Sequence, residues 1–132
     1  MSDIRLNIWD RLFDLDIIYQ NYSDEVVSDN QKNIASAIPS IDFNKSLEGL
    51  KKYIIKNNSY EMDEEIIHNI FRYVIPKSIY IPIDSDKSIF AIMCDYKFDM
   101  EHGIAVVYED ERFKAVGPQD IILWYELIWR GY

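Results

Sequence analysis

The chain holds a single cysteine, Cys94, in 132 residues. No intramolecular disulfide can form, so stability has to come from packing. Cys94 lies in an apolar run and reads as a buried, inert thiol. No Cys-His-Asn arrangement accompanies it to support nucleophilic chemistry. Glycine and proline are scarce, four of each. Gly49, Gly103, Gly117 and Gly131 are isolated, so no Gly-rich phosphate loop exists, and no Gly-x-Ser-x-Gly elbow occurs. Basic charge is also short: 14 Lys and Arg stand against 23 Asp and Glu, for a net charge of -9. A nucleic-acid binder needs cations to displace phosphate counterions, so that class is disfavoured. A basic protein partner fits the balance better. No apolar run approaches the roughly 18 residues of a membrane span. The N-terminus, with Asp3, Asp10, Asp14 and Asp16, lacks the basic start and apolar stretch of a secretory signal. The expectation is a cytoplasmic protein with no membrane contact.

What is abundant is aromatic and aliphatic. Hydrophobic residues make up 48% of the chain and aromatics 14%. That is enough for one core in one domain covering residues 1–132. Residues 11–20 alternate, with Phe13, Leu15 and Ile17 on one side and Asp14 and Asp16 on the other, which predicts a half-buried strand. Ser28 and Gln31 have capping-box spacing and open a helix with Ile34, Ala35 and Ile38 inward, stopped by Pro39. A second helix is predicted over 43–57 from Phe43, Leu47, Leu50 and Ile54, with Lys45, Lys51, Lys52 and Lys56 outside the stripe. A third is predicted over 63–74 from Met62, Ile66, Ile70 and Val74, ended by Pro76. His68 falls off that row and reads as a surface residue.

After Pro76 the period changes. Strands are predicted over 78–83, 88–96, 104–108 and 113–116, joined by short turns. Apolar residues of both parities in 88–96 predict cover on both faces. The tail from Asp120 is too apolar for a free end. It closes the core or, around Trp124 and Trp129, offers a homodimer surface. The expected class is α+β: an antiparallel sheet of about four to five strands with about three helices on one face.

The densest polar cluster is Asp95, Asp99, Glu101 and His102, between two apolar strands. Three carboxylates and an imidazole could hold a hard cation. Their spacing follows no EF-hand or zinc rule. The same residues can instead tie a strand-to-strand corner through side-chain hydrogen bonds, with Glu101 and His102 as the tie. A further acidic group, Glu109, Asp110 and Glu111, occupies the next turn.

Two short pieces carry a family likeness. Phe98-Asp-Met-Glu-His-Gly-Ile-Ala-Val-Val-Tyr108 followed by Val116-Gly-Pro-Gln-Asp-Ile121 resembles the small bacterial domains of unknown function grouped as DUF6985 and DUF2004. Those show Asp-Pro-Glu-His-Gly, an apolar strand, a hairpin and a Gly-x-Gln-Asp ending. The likeness covers about residues 11–123. Met100 stands where proline is usual, and Asp110-Glu111 lacks the usual glycine, which predicts a different turn type. The resemblance carries no established enzymatic activity with it, and no cofactor is expected. By analogy with proteins placed beside toxin genes, it implies an immunity protein. The leading expectation is therefore a non-enzymatic binding protein that neutralises a basic toxin domain by occlusion, through Asp99, Glu101, Glu109, Asp110 and Glu111. The alternative is a metal-binding domain or metal-dependent hydrolase using Asp95, Asp99, Glu101 and His102.

Overall fold

The structure, a computed structural model, describes residues 3–20, 27–57, 69–82 and 88–122. Strands β1 (Ile4–Ile8) and β2 (Arg11–Tyr19) lead. Helices α1 (Asp29–Ala37) and α2 (Leu47–Asn57) follow, then β3 (Val74–Ile81), β4 (Ile89–Tyr96), β5 (Ile104–Glu109) and β6 (Arg112–Gly117). The six strands form one sheet in sequence order. An α+β architecture agrees with the sequence, with two α-helices rather than about three among the described residues, both on one face of the sheet.

The sheet is larger than expected and mixed. β2 pairs with β3 in parallel, while every other neighbouring pair is antiparallel. The reason lies in the connection. Parallel neighbours need a long crossover, and both helices sit between β2 and β3. Together they return the chain to the end of the sheet where β2 began.

The extra strand, β1, joins β2 through a two-residue turn at Trp9 and Asp10. Both have positive φ, 53° and 68°. Two such residues match the twist of a hairpin, but Asn and Gly usually supply them, so the sequence hides the turn. Tertiary contacts hold it. Trp9 is buried, and its Nε1 donates to Ser46 Oγ at 3.0 Å. Asn44 Nδ2 donates to the Asp10 carboxylate at 3.1 Å.

Of the third predicted helix, residues 63–68, with His68, lie outside the described residues. Its end is corrected: 70–72 form a 3₁₀ turn and Val74 opens β3. Ile70 and Val74 share a core-facing side because a turn and a strand start both point inward, not because one helix carries them. Pro76 lies within β3, beside a break in register between Pro76 and Ser78. A bulge is a place where a strand tolerates a missing N–H.

Ser28 and Gln31 do form a capping box, Gln31 N to Ser28 Oγ at 3.1 Å and Ser28 N to Gln31 Oε1 at 3.0 Å. Ile34, Ile38, Leu50 and Ile54 pack on Leu15, Ile79, Ile92 and Val106 in the main core. A 3₁₀ turn, Phe43–Ser46, leads into α2. This unit bridges the two edges of the sheet. Ser46 meets Trp9 at the β1 end, and Gly49 lies under Phe113 of β6, where a Cβ would run into the ring. The sheet therefore curls around its helices. Lys51, predicted outside the stripe, is buried, and its ammonium reaches Glu48 at 3.3 Å.

The other sheet face is covered on its β4–β6 half. Ile89, Ala91, Ala105 and Val107 pack with Ile122 there, as the two-parity pattern of β4 predicted. Residues 121 and 122 have helical backbone. The tail around Trp124 and Trp129 lies outside the described residues. No helix among the described residues is long and apolar enough to cross a membrane.

Candidate functional site

The two acidic groups sit at opposite ends of β5. Asp99, Glu101 and His102 precede it, and Glu109, Asp110 and Glu111 end it. Six strand residues separate them by roughly 17 Å, so they do not form one patch.

The group before β5 is a tied corner. The Asp99 carboxylate accepts from His102 N at 3.1 Å and lies 3.0 Å from His102 Nδ1. The His102 backbone N–H, then its ring, hold the Asp99 carboxyl below its usual range. Asp99 in turn raises His102. The tie is thus Asp99 with His102, not Glu101 with His102. Glu101 is exposed. Asp95 lies on β4 and faces Lys77 at 3.6 Å. Among the described residues, no three His, Cys, Asp or Glu side chains gather as a metal-holding group.

The corner is closed by the C-terminal motif. Gln119 Nε2 donates to the Cys94 carbonyl at 3.2 Å, and Gln119 N donates to the His102 carbonyl at 3.1 Å. Gly103 has φ +61°, and its N–H donates to the Asp99 carbonyl at 2.9 Å. A Cβ on Gly103 would fall 2.5 Å from Gln119 Nε2 and 2.7 Å from the Cys94 carbonyl. Glu-His-Gly and Gly-Pro-Gln-Asp are therefore two halves of one latch. The glycine leaves room and the glutamine fills it.

That interlock gives the two short motifs a common structural reason. A model for a domain of unknown function, DUF6985, matches residues 2–123. The chain belongs to this family. The DUF6985 match takes in the six strands and two helices of the described residues. No curated protein matches the chain, and no solved structure matches it.

The acidic group after β5 in this DUF6985 chain is a two-residue turn. Asp110 and Glu111 have φ 51° and 67°. The turn therefore has the positive-φ backbone that glycine favours, although it contains no glycine. Asp110 N donates to the Ser88 carbonyl at 2.8 Å. Glu109 is largely covered and pairs with Lys114 at 3.4 Å. Asp110 and Glu111 are exposed.

At this same end, residue 31 does something its capping role did not reveal. Gln31 is fully buried. Its Nε2 donates to the carbonyls of Gln20 at 2.7 Å and Ile81 at 3.0 Å. One amide thus joins α1 to the ends of both parallel strands. The sequence signal was a glutamine, rather than a glutamate, at the third helical position: only an amide can accept from the cap and donate to strands.

Two buried polar groups do no visible chemistry. Cys94 is fully buried, and that burial pushes its thiol far above the ordinary range. Burial pushes Tyr108 up to about 12. Among the described residues its hydroxyl meets no partner in good hydrogen-bond geometry. The nearby Ser46 hydroxyl, which accepts from Trp9 and donates to the Phe43 carbonyl, works against that rise.

Proposed function

We propose that this protein is a non-enzymatic binding protein that covers a basic protein partner, an immunity protein against a toxin domain being the form that its family likeness suggests. The observation that carries the reading is where the acids fall. The turn with Asp110 and Glu111 lies at the end of the sheet where residues 21–26 and 83–87 leave and rejoin the described fold. Those two segments contain Asp24, Glu25, Asp84 and Asp86 against Lys87. Topology thus brings the attachment points of three acid-bearing stretches to one end. A basic surface would be steered there and held by complementary charge. Asp99 and Glu101, at the other end, belong to a corner whose first task is to hold β4 and β5 together. They are not part of the same contact.

The reading is tested by affinity capture from the native host at low and high salt, run beside an Asp110→Lys/Glu111→Lys variant. A basic protein is expected on the wild-type chain at low salt, released at high salt and lost with the variant. Co-expression of the captured protein then shows whether the chain suppresses its toxicity. No basic protein at low salt, or equal capture by the variant, contradicts the proposal.

A further inference from the structure

The sheet face turned away from the helices is buried more completely than the described residues can bury it. Register places Ile18, Tyr80, Ala91, Val107 and Ala115 in one row across β2 to β6, and Met93, Ala105 and Gly117 in the next. Residues paired directly across strands share a face. Ile89, Ala91, Ala105 and Val107 are all 0% exposed. Tyr80, Met93 and Ala115 beside them are half-buried, and Ile18 on β2 is exposed. Cover is thus complete over β4 and β5 and fades to either side.

Within this cluster, Ile121 and Ile122 are the residues that do not belong to a strand. They sit at one end of it. A Cβ on Gly117, which pairs with Ala105, would fall 2.5 Å from the Ile121 side chain. Ile89 lies four residues along β4 from the row of Met93 and Ala105, roughly 13 Å away. Two isoleucines at the near end cannot keep water off that whole length.

The chain has the material to do so. Residues 121 and 122 have helical backbone, and residues 123–132 follow them. Continued as a helix, those residues would extend about 15 Å, which matches the length to be covered. In such a helix Ile121, Trp124, Tyr125 and Ile128 share one face, while Glu126 and Arg130 fall on the other. Ala91 and Ala105 have small side chains, which leave room for large rings above them.

We propose that residues 123–132 continue the helix begun at 121–122 and close the outer face of β4 and β5 within the same molecule. The occupant is the chain's own tail rather than a second copy, because the residues that open the segment are already seated on that face. The inference stands independently of the partner reading above.

Methyl-labelled NMR on residues 1–132 tests it. NOEs are expected from Ile128 to Ala91 or Val107, and they are expected to vanish in an isotope-filtered experiment on mixed labelled and unlabelled chains. Absence of contacts between 123–132 and this face overturns the proposal. Contacts that survive the filter give the face to a second copy and overturn it too. Urea unfolding of three variants adds a second readout. Ile128→Asp, and more mildly Ile128→Ala, should lower the midpoint and raise binding of an apolar dye, whereas Leu123→Asp, on the other side of the helix, should change neither. Equal effects at 123 and 128 contradict the proposed face.

Discussion

The two ends of β5 solve the same problem by opposite means. At its start, the chain turns through residues 97–103 using many internal ties: Asp99 to His102, Gly103 to Asp99, and Gln119 to Cys94 and His102. At its finish, the chain turns in two residues, with one backbone bond to Ser88 and two exposed acids at positive φ. The start resembles a chemical site in the sequence and is densely tied in the structure. The finish resembles a plain turn, and in our proposal it is where recognition occurs. Density of polar residues therefore marks where the backbone needs partners at least as often as where a ligand binds.

Substitutions at the tied end should break the fold, and the largest effect is expected there. Gly103→Ala places a side chain at positive φ and against Gln119 and the Cys94 carbonyl. It should cost about 3 kcal/mol or more in urea unfolding. A loss under about 0.5 kcal/mol would mean that no latch closes there. Next is Gln31→Ala, which strips a buried amide from two strand-end carbonyls and from the helix cap. A loss of about 2–3 kcal/mol is expected in the same assay, with faster amide exchange at Ser28, whose N–H donates to the Gln31 side chain.

The acidic turn should respond in the other direction. Asp110→Asn with Glu111→Gly gives the turn residues that tolerate its backbone. It should stabilise the chain by about 1 kcal/mol while weakening capture of a basic partner. Stabilisation without loss of capture would sever the link between this turn and recognition.

The smallest effect is the pH response of the Asp99–His102 tie. Asp99 raises His102 above its ordinary value of 6.5. Its contribution is therefore complete below 6.5 and fades as pH rises through the raised value. The Asp99 carboxyl is lowered from 3.8. Its contribution is complete above 3.8 and is lost as pH falls through the lowered value. The tie is thus strongest between those limits. An NMR titration of the His102 ring should show a raised pKa that falls back in Asp99→Asn. An unmoved titration would mean that the ion pair does not form in solution.

Much of this was legible in the residues. The alternation around Leu15 gave β2, the Ser28 and Gln31 spacing gave the cap, and the two-parity run in 88–96 gave a strand covered on both faces. Misses came where distant contacts overrule local signals. Trp9 turns at positive φ because Ser46 anchors its indole. The parallel β2–β3 pairing is set by where two helices deliver the chain, which no local period records. Val74 opens a strand although its spacing from Ile70 suits a helix. Lys51 is buried because α2 is wedged between the sheet edges. In the corner, the sequence pointed to the correct residues and the wrong pair, since Glu101 neighbours His102 in sequence while Asp99 meets it in space. Exposure of Phe98 and Met100 could not be read at all, because an apolar residue beside a strand is most often inside.

A double-mutant cycle on Gly103 and Gln119 tests the central claim most directly. Gly103→Ala and Gln119→Ala are made singly and together, and urea unfolding gives each free energy. If the two motifs interlock, truncating Gln119 makes room for the added methyl. The double variant should then be more stable than the sum of the single losses predicts, by about 1 kcal/mol or more. Additive losses would show that Glu-His-Gly and Gly-Pro-Gln-Asp act separately, and would contradict the latch.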